Sequence, residues 1–205
     1  LKSYLSVSML YPLIAILAAF AIGALLIAMA GKSPVEAYRA MIHSAFGNKN
    51  NIGETLVKTV PLLLAGLGTA ISFRAKIFNI GAEGQIFMGA LGAASVGLFM
   101  GDLKPIIGIP MVLLAGFLAG GIWGGIAGFL RERFHASEII ITLMMNYIAI
   151  EITSYLVGGP WRDPKSTEAF TARFSAGANL PIILPGTRLH AGILVAILAV
   201  IVIAW

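Results

Sequence analysis

Two side-chain amides and a carboxylate stand close together in Phe78-Asn79-Ile80-Gly81-Ala82-Glu83-Gly84-Gln85, an octet set between two runs of apolar residues. Asn79, Glu83 and Gln85 have no cysteine or histidine beside them, so their chemistry is to donate and accept hydrogen bonds rather than to make covalent ones. A carboxylate in apolar surroundings is costly, which makes Glu83 a candidate functional residue. Phe78 opens the octet, and Gly81 and Gly84 free its backbone. A further amide, Asn146, lies in the apolar run 139–157, with Glu151 behind it. Together these residues suit a neutral, polar solute crossing an apolar medium.

Other chemistries lack their residues. His43, His135 and His190 fall in three separate loops with no H-E-x-x-H pairing, so no metal site is expected. Ala93-Ala94-Ser95-Val96-Gly97 half matches a nucleophile elbow but lies within a helical run, and no catalytic residue is expected. An intramembrane enzyme is thus the weaker alternative. A plain membrane scaffold would leave the buried amides without a purpose. The chain has no cysteine, which excludes disulfides and thiolate ligands. Its net charge of +5 is spread over loops, with no basic stripe for nucleic acid.

The elements that carry these residues are membrane spans. Of 205 residues, 59% are hydrophobic and 11% charged, and the mean hydropathy is +0.93. One soluble core does not need so much apolar surface. Backbone groups in lipid must pair within their own segment, and the alternation of a barrel is absent, so the fold class is all-α, a polytopic helical membrane protein. About six spans are expected: 11–30, 52–73, 80–100, 106–130, 139–157, and a last one from about 190. Ala28-Met29-Ala30 imitates a cleavage site, but the apolar run before it exceeds the roughly 7 to 15 residues of a signal peptide. Pro34 opens a short amphipathic helix over about 34–45, expected to lie at the membrane interface, and residues 158–189 read as an exposed loop.

The run 61–73 holds 13 residues, about 20 Å of helix against a hydrocarbon core of about 30 Å, so a broken-helix region is expected around 74–85. Gly116, Gly120, Gly124 and Gly128 repeat at four-residue spacing in the fourth span, a bare face for close helix packing; Ala90, Ala93, Ala94 and Gly97 form a weaker one. The raw count of loop positives points to an amino terminus outside, while the short loop Arg131-Glu132-Arg133, set against the Asp102-Leu103-Lys104 turn, favours the cytoplasmic side.

The octet resembles the permease subunits of bacterial ABC importers for nucleosides and related simple sugars. So do Gly53-Glu54-Thr55-Leu56-Val57, Leu143-Met144-Met145-Asn146-Tyr147-Ile148-Ala149, Gly159-Pro160 before Asp163-Pro164, and Leu184-Pro185-Gly186-Thr187-Arg188-Leu189-His190. The resemblance implies a single transmembrane permease domain over 1–205, the amino-terminal part of a roughly ten-span protein whose carboxy-terminal part is missing. It implies a multi-pass protein of the cell membrane with a cytoplasmic amino terminus. It also implies partners: cytoplasmic ABC ATPase subunits, a second permease subunit as homo- or heterodimer, and an extracytoplasmic solute-binding protein. No GxxxxGK[ST] loop occurs, so the chain holds no cofactor and ATP belongs on the ATPase subunit. Phe78, Asn79, Glu83, Gln85 and Asn146 are the candidate translocation-pathway residues. Ribose-type sugars and branched-chain amino acids are the alternative solutes.

Overall fold

A computed structural model describes residues 2–101 and 103–204, without the side chains of residues 2–9 and 204. Leu1, Asp102 and Trp205 lie outside the described residues. Among the described residues the chain forms seven α-helices: α1 (Lys2–Met29), α2 (Pro34–Phe46), α3 (Lys49–Arg74), α4 (Ala82–Phe99), α5 (Pro105–Phe134), α6 (Glu138–Gly158) and α7 (Gly192–Ala204). Five of them, α1 and α3 to α6, are long and apolar enough to cross a membrane. The sixth expected span, α7, has 13 described residues, about 20 Å at 1.5 Å per residue.

Large apolar side chains face outward on every one of the five long helices, such as Leu25, Leu62, Phe99, Ile106 and Tyr147. In water this surface would drive aggregation; in lipid it is the solvated face of the protein. The buried core is small, and Leu91, Ala127, Met145 and Ala149 belong to it. Of the paired methionines, Met145 is buried and Met144 exposed.

The chain divides into two compact units, one made of the chain up to Leu56 together with Gly186–Arg188, the other of Val57–Pro185 together with the chain from Leu189 onward. In the first unit, Ser33 accepts a hydrogen bond from the Glu36 N–H (3.3 Å) and Pro34 occupies the first turn, which starts α2 where the sequence places it. Helix α2 is anchored to α1 as well as amphipathic: the Tyr38 hydroxyl donates to the Phe20 carbonyl (2.6 Å), and the two rings meet edge to face at 5.4 Å. An added Cβ at Gly23 would lie 2.9 Å from that hydroxyl, so a small residue there admits the tyrosine. Gly53, buried on α3, likewise admits Thr187, and Arg188 pairs with Glu54 at 3.5 Å. The two sequence segments Gly53-Glu54 and Thr187-Arg188 thus form one contact.

In the second unit, α4 and α5 pack backbone to backbone. A Cβ at Gly116 would lie 3.2 Å from the Gly89 carbonyl oxygen, one at Gly120 3.0 Å from the Gln85 carbonyl oxygen, and one at Gly124 2.9 Å from Gln85 Nε2. Helices approach this closely in lipid because dispersion and weak hydrogen bonds grow as backbones meet. The fourth member of the expected ladder departs from it: nothing lies within 4 Å of a Cβ at Gly128. Gly128 sits one turn beyond the end of α4 contact and faces open space. On α4 the packing face runs through Gln85, Gly89 and Gly92 rather than Ala90, which is exposed.

The segment after α6 is folded more tightly than an exposed loop. Its short helical turn Ala176–Ala178 sits on the start of α5, with Gly177 buried against Leu103 and Gly108. Trp161 meets Phe99 edge to face at 5.6 Å, and Ser175 N–H donates to the Gly97 carbonyl at 3.3 Å. The Arg162 guanidinium donates to the Ser166 and Thr167 carbonyls at 3.1 and 2.9 Å, closing a turn on itself.

A Cβ at Gly92 would fall 2.5 Å from Ala119 Cβ and 2.7 Å from the Ala115 carbonyl oxygen. Gly92→Ala should therefore push α4 off α5 and destabilise the protein by about 1 to 3 kcal/mol. Gly128→Ala should leave it within about 0.5 kcal/mol of the parent. Thermal unfolding in detergent checks both.

Candidate functional site

The polar octet lies where α3 gives way to α4. Helix α3 runs unbroken through Pro61 to Arg74, so this span is longer than the 13 residues after its proline. It stops in a Schellman arrangement: Lys76 N–H donates to Phe73 O (3.0 Å) and Ile77 N–H to Ser72 O (2.9 Å), with Lys76 left-handed at φ 59°. Residues 77–80 are then non-helical.

The start of α4 must satisfy backbone N–H groups that have no partner inside the helix. Its N-cap, Gly81, has no side chain to offer. Asn79 supplies part of the answer, its Oδ1 accepting from Gly81 N–H at 2.8 Å. The rest comes from α6: Asn146 Oδ1 accepts from Gly84 N–H at 2.8 Å, while Asn146 Nδ2 donates to the Ile80 carbonyl at 2.9 Å. One buried amide therefore clamps the break on both sides. Gly84 is required by this approach, since an added Cβ would lie 2.8 Å from Asn146 Oδ1 and 3.1 Å from Trp123 Nε1. The Trp123 indole nitrogen is buried beside this clamp and has no hydrogen-bond partner among the described residues.

Glu83 sits exposed in the first turn of α4, where its charge complements the helix dipole. It pairs with neither Arg74 nor Lys76 among the described residues, whose ion pairs are Arg131–Glu138 and Arg188–Glu54. Asn146 fills the capping role instead. The signal for it was present in the sequence, an amide within an apolar span, but its partner lies 62 residues away.

A groove of about 600 Å³ opens between α3, α4 and α5. Leu64, Leu113, Phe117 and Ile86 make it largely apolar, and Asn79, Gln85, Thr69 and Ser72 supply its polar groups. The Thr69 and Ser72 hydroxyls donate to their own helix at Ala65 O and Gly68 O, 2.9 and 3.0 Å away. Gln85 makes no side-chain hydrogen bond among the described residues, so its amide is available to a solute. Of the candidate pathway residues, Asn79 and Gln85 line the groove; Asn146 sits behind them in the clamp, and neither Phe78 nor Glu83 belongs to the lining. Phe78 instead meets Phe73 at 5.7 Å. Thr69 and Ser72 were not singled out by sequence reasoning, because helix-bonded hydroxyls carry no pattern of their own. The exposed Glu151 does not line this groove, and no cluster of metal-ligating side chains occurs among the described residues.

Residues 51–205 match the family described as branched-chain amino acid transport system / permease component. The chain belongs to this family. It is 38% identical over 196 residues to the guanosine ABC transporter permease protein NupP of Bacillus subtilis (strain 168), covering 95% of this chain and 56% of that protein. It is 36% identical over 200 residues to the glucose ABC transporter permease protein TsgB13 of Haloferax volcanii, covering 93% and 52%. The nucleoside ABC transporter permease protein NupB of Lactococcus lactis subsp. cremoris is 30% identical over 203 residues, with 95% and 56% covered. The chain thus spans about half the length of the curated relatives it matches. No solved structure matches it.

The clamp yields a direct expectation. Asn146→Ala removes both hydrogen bonds and strands Gly84 N–H and Ile80 C=O, which should destabilise the full-length permease by about 1 to 3 kcal/mol. Asn146→Asp keeps the acceptor but loses the donor, and should cost at least as much by setting a carboxylate against a carbonyl. Thermal unfolding midpoints of both variants, with Glu83→Gln near the parent value, check this.

Proposed function

We propose that the chain is part of the membrane-spanning permease subunit of an ABC importer and that the groove between α3, α4 and α5 is its solute path. The observation that carries the reading is the placement of two amides, Asn79 and Gln85, at a helix break on the wall of an otherwise apolar groove. Broken helices at a cavity expose backbone and side-chain dipoles where a passing solute needs them. ATP hydrolysis falls to separate cytoplasmic ABC ATPase subunits. A second permease subunit and an extracytoplasmic solute-binding protein complete the importer, which sits in the cell membrane with the amino terminus of this chain in the cytoplasm.

The solute proposed is a nucleoside. A purine or pyrimidine presents a flat, weakly hydrated face to Leu64, Leu113 and Phe117 and an amide-like edge to Asn79 and Gln85. The 36% identity to a glucose permease favours a second reading, a hexose. Glucose would leave hydroxyls unpaired against the aliphatic part of the groove, at a cost of about 1 to 3 kcal/mol for each buried group. Guanosine and glucose share a hydroxylated ring, so transport of both by one path is compatible with these walls. A branched-chain amino acid would bring two charges to a groove with no charged side chain among its lining residues.

In proteoliposomes holding the full-length permease with its ATPases and binding protein, Asn79→Ala and Gln85→Ala should each lower nucleoside uptake about three- to tenfold, the worth of one hydrogen bond. Basal ATP hydrolysis should stay unchanged. Uptake of leucine but not of guanosine by the parent importer would overturn the assignment of solute.

A further inference from the structure

Past Asn79 and Gln85 lies a second, smaller cavity of about 260 Å³. It shares Ser72, Asn79, Gln85 and Gly124 with the wide groove, so the two amides form a waist between the volumes. Beyond that waist the lining changes character. The aliphatic and aromatic walls of the groove give way to Arg131, Glu138 and Thr142, carried by the end of α5 and the first two turns of α6.

The hydrogen-bonding groups here come in both kinds. Arg131 Nε lies 3.5 Å from Glu138 Oε2, an ion pair between a guanidinium with five donors and a carboxylate with two acceptor oxygens. The other carboxylate oxygen and the remaining guanidinium N–H groups have no partner among the described residues. Asn79 Oδ1 is occupied by Gly81 N–H, which leaves its two amide protons. Gln85 keeps its whole amide. Thr142 donates its hydroxyl proton to the Glu138 carbonyl at 2.9 Å and retains its lone pairs.

This balance selects a chemical class. A phosphate wants donors only and would meet Glu138; an ammonium wants acceptors only and would meet Arg131. A hydroxyl donates and accepts at the same atom, and adjacent hydroxyls on a ring need both kinds of partner side by side. The chamber is smaller than the roughly 300 Å³ at which pockets for whole drug-sized ligands begin, which suits part of a solute.

We propose that this chamber is the hydroxyl-binding station of the path, receiving the sugar ring while the wide apolar groove receives the base. The inference rests on the permease reading and assigns to Arg131, Glu138 and Thr142 a contact with solute. It also gives Gly128 a purpose: on the chamber wall, a bare glycine keeps the volume open where the α4 contact has ended.

Two reporters separate the cavities. An added Cβ meets nothing within 4 Å at Gly121 on the groove or at Gly128 in the chamber, so each position accepts a cysteine. In an otherwise cysteine-free full-length permease assembled with its ATPases, the labelling rate by a small thiol reagent is measured with D-ribose, guanine or guanosine present over a concentration series. Ribose and guanosine should slow labelling of Gly128→Cys at least about fivefold while guanine does not; guanine and guanosine should slow that of Gly121→Cys while ribose does not. Adding Glu138→Gln should abolish the ribose effect at Gly128→Cys, and Thr142→Val serves if that variant fails to assemble. Equal protection of Gly128→Cys by guanine, or ribose protection that survives loss of the Glu138 charge, would overturn the station. Absence of protection at both positions by every solute would overturn the path itself.

Discussion

Backbone N–H and C=O groups inside a membrane must find partners within the protein, and the start of α4 is where this chain has most trouble doing so. Gly81 brings no capping side chain, and residues 77–80 before it are not helical. The solution is an amide from another span: Asn146 accepts from Gly84 and donates to Ile80. The other features of the site follow from that clamp. It demands a glycine at position 84, it ties Ile80 to α6, and it fixes the first turn of α4 so that Gln85 reaches the face of α5. A flexible break would let Asn79 and Gln85 sample many positions; a clamped one presents them at one place on a wall.

Close packing of α4 on α5 does complementary work. Gly89 and Gly92 on one helix and Gly116, Gly120 and Gly124 on the other remove side chains from the contact. The two helices then behave as a single wall facing α3, and the groove runs along it. Glycine has a second use on α5, where Gly121 and Gly128 face cavities rather than helices. The same residue type thus brings backbones together on one side of α5 and keeps space open on another.

Much of this was legible in the sequence. Long apolar runs without alternation can only be helices in lipid, and loop charges and prolines mark their limits, so the spans lie within a few residues of their expected bounds. The octet stood out because polar residues in an apolar context are costly. What periodicity could not supply was long-range geometry. Residue spacing within α5 marked a four-glycine ladder, but the length of α4 contact decides that Gly128 lies outside it. Proline and a polar flank made 61–73 look like a half-span, yet α3 runs straight through Pro61, since a spanning helix can give up one backbone hydrogen bond and keep its course. Glu83 had the right charge and position to cap α4, and the role went to a neutral amide from α6, because Asn146 both donates and accepts without the cost of burying a charge. The folding of residues 161–177 over the ends of α4 and α5 rests on Trp161, Phe174 and Gly177, contacts that no local pattern announces.

The central claim is that the clamp at Asn146 presents Asn79 and Gln85 to a solute in the groove between α3, α4 and α5. A cryo-electron microscopy map of the full-length permease with its ATPases and saturating guanosine tests it most directly. The account predicts solute density in that groove, within hydrogen-bonding distance of the Gln85 amide, and unbroken density from Asn146 to the Gly84 and Ile80 backbone. Solute density on the opposite side of α5, or a groove filled by another helix of the protein, would contradict it.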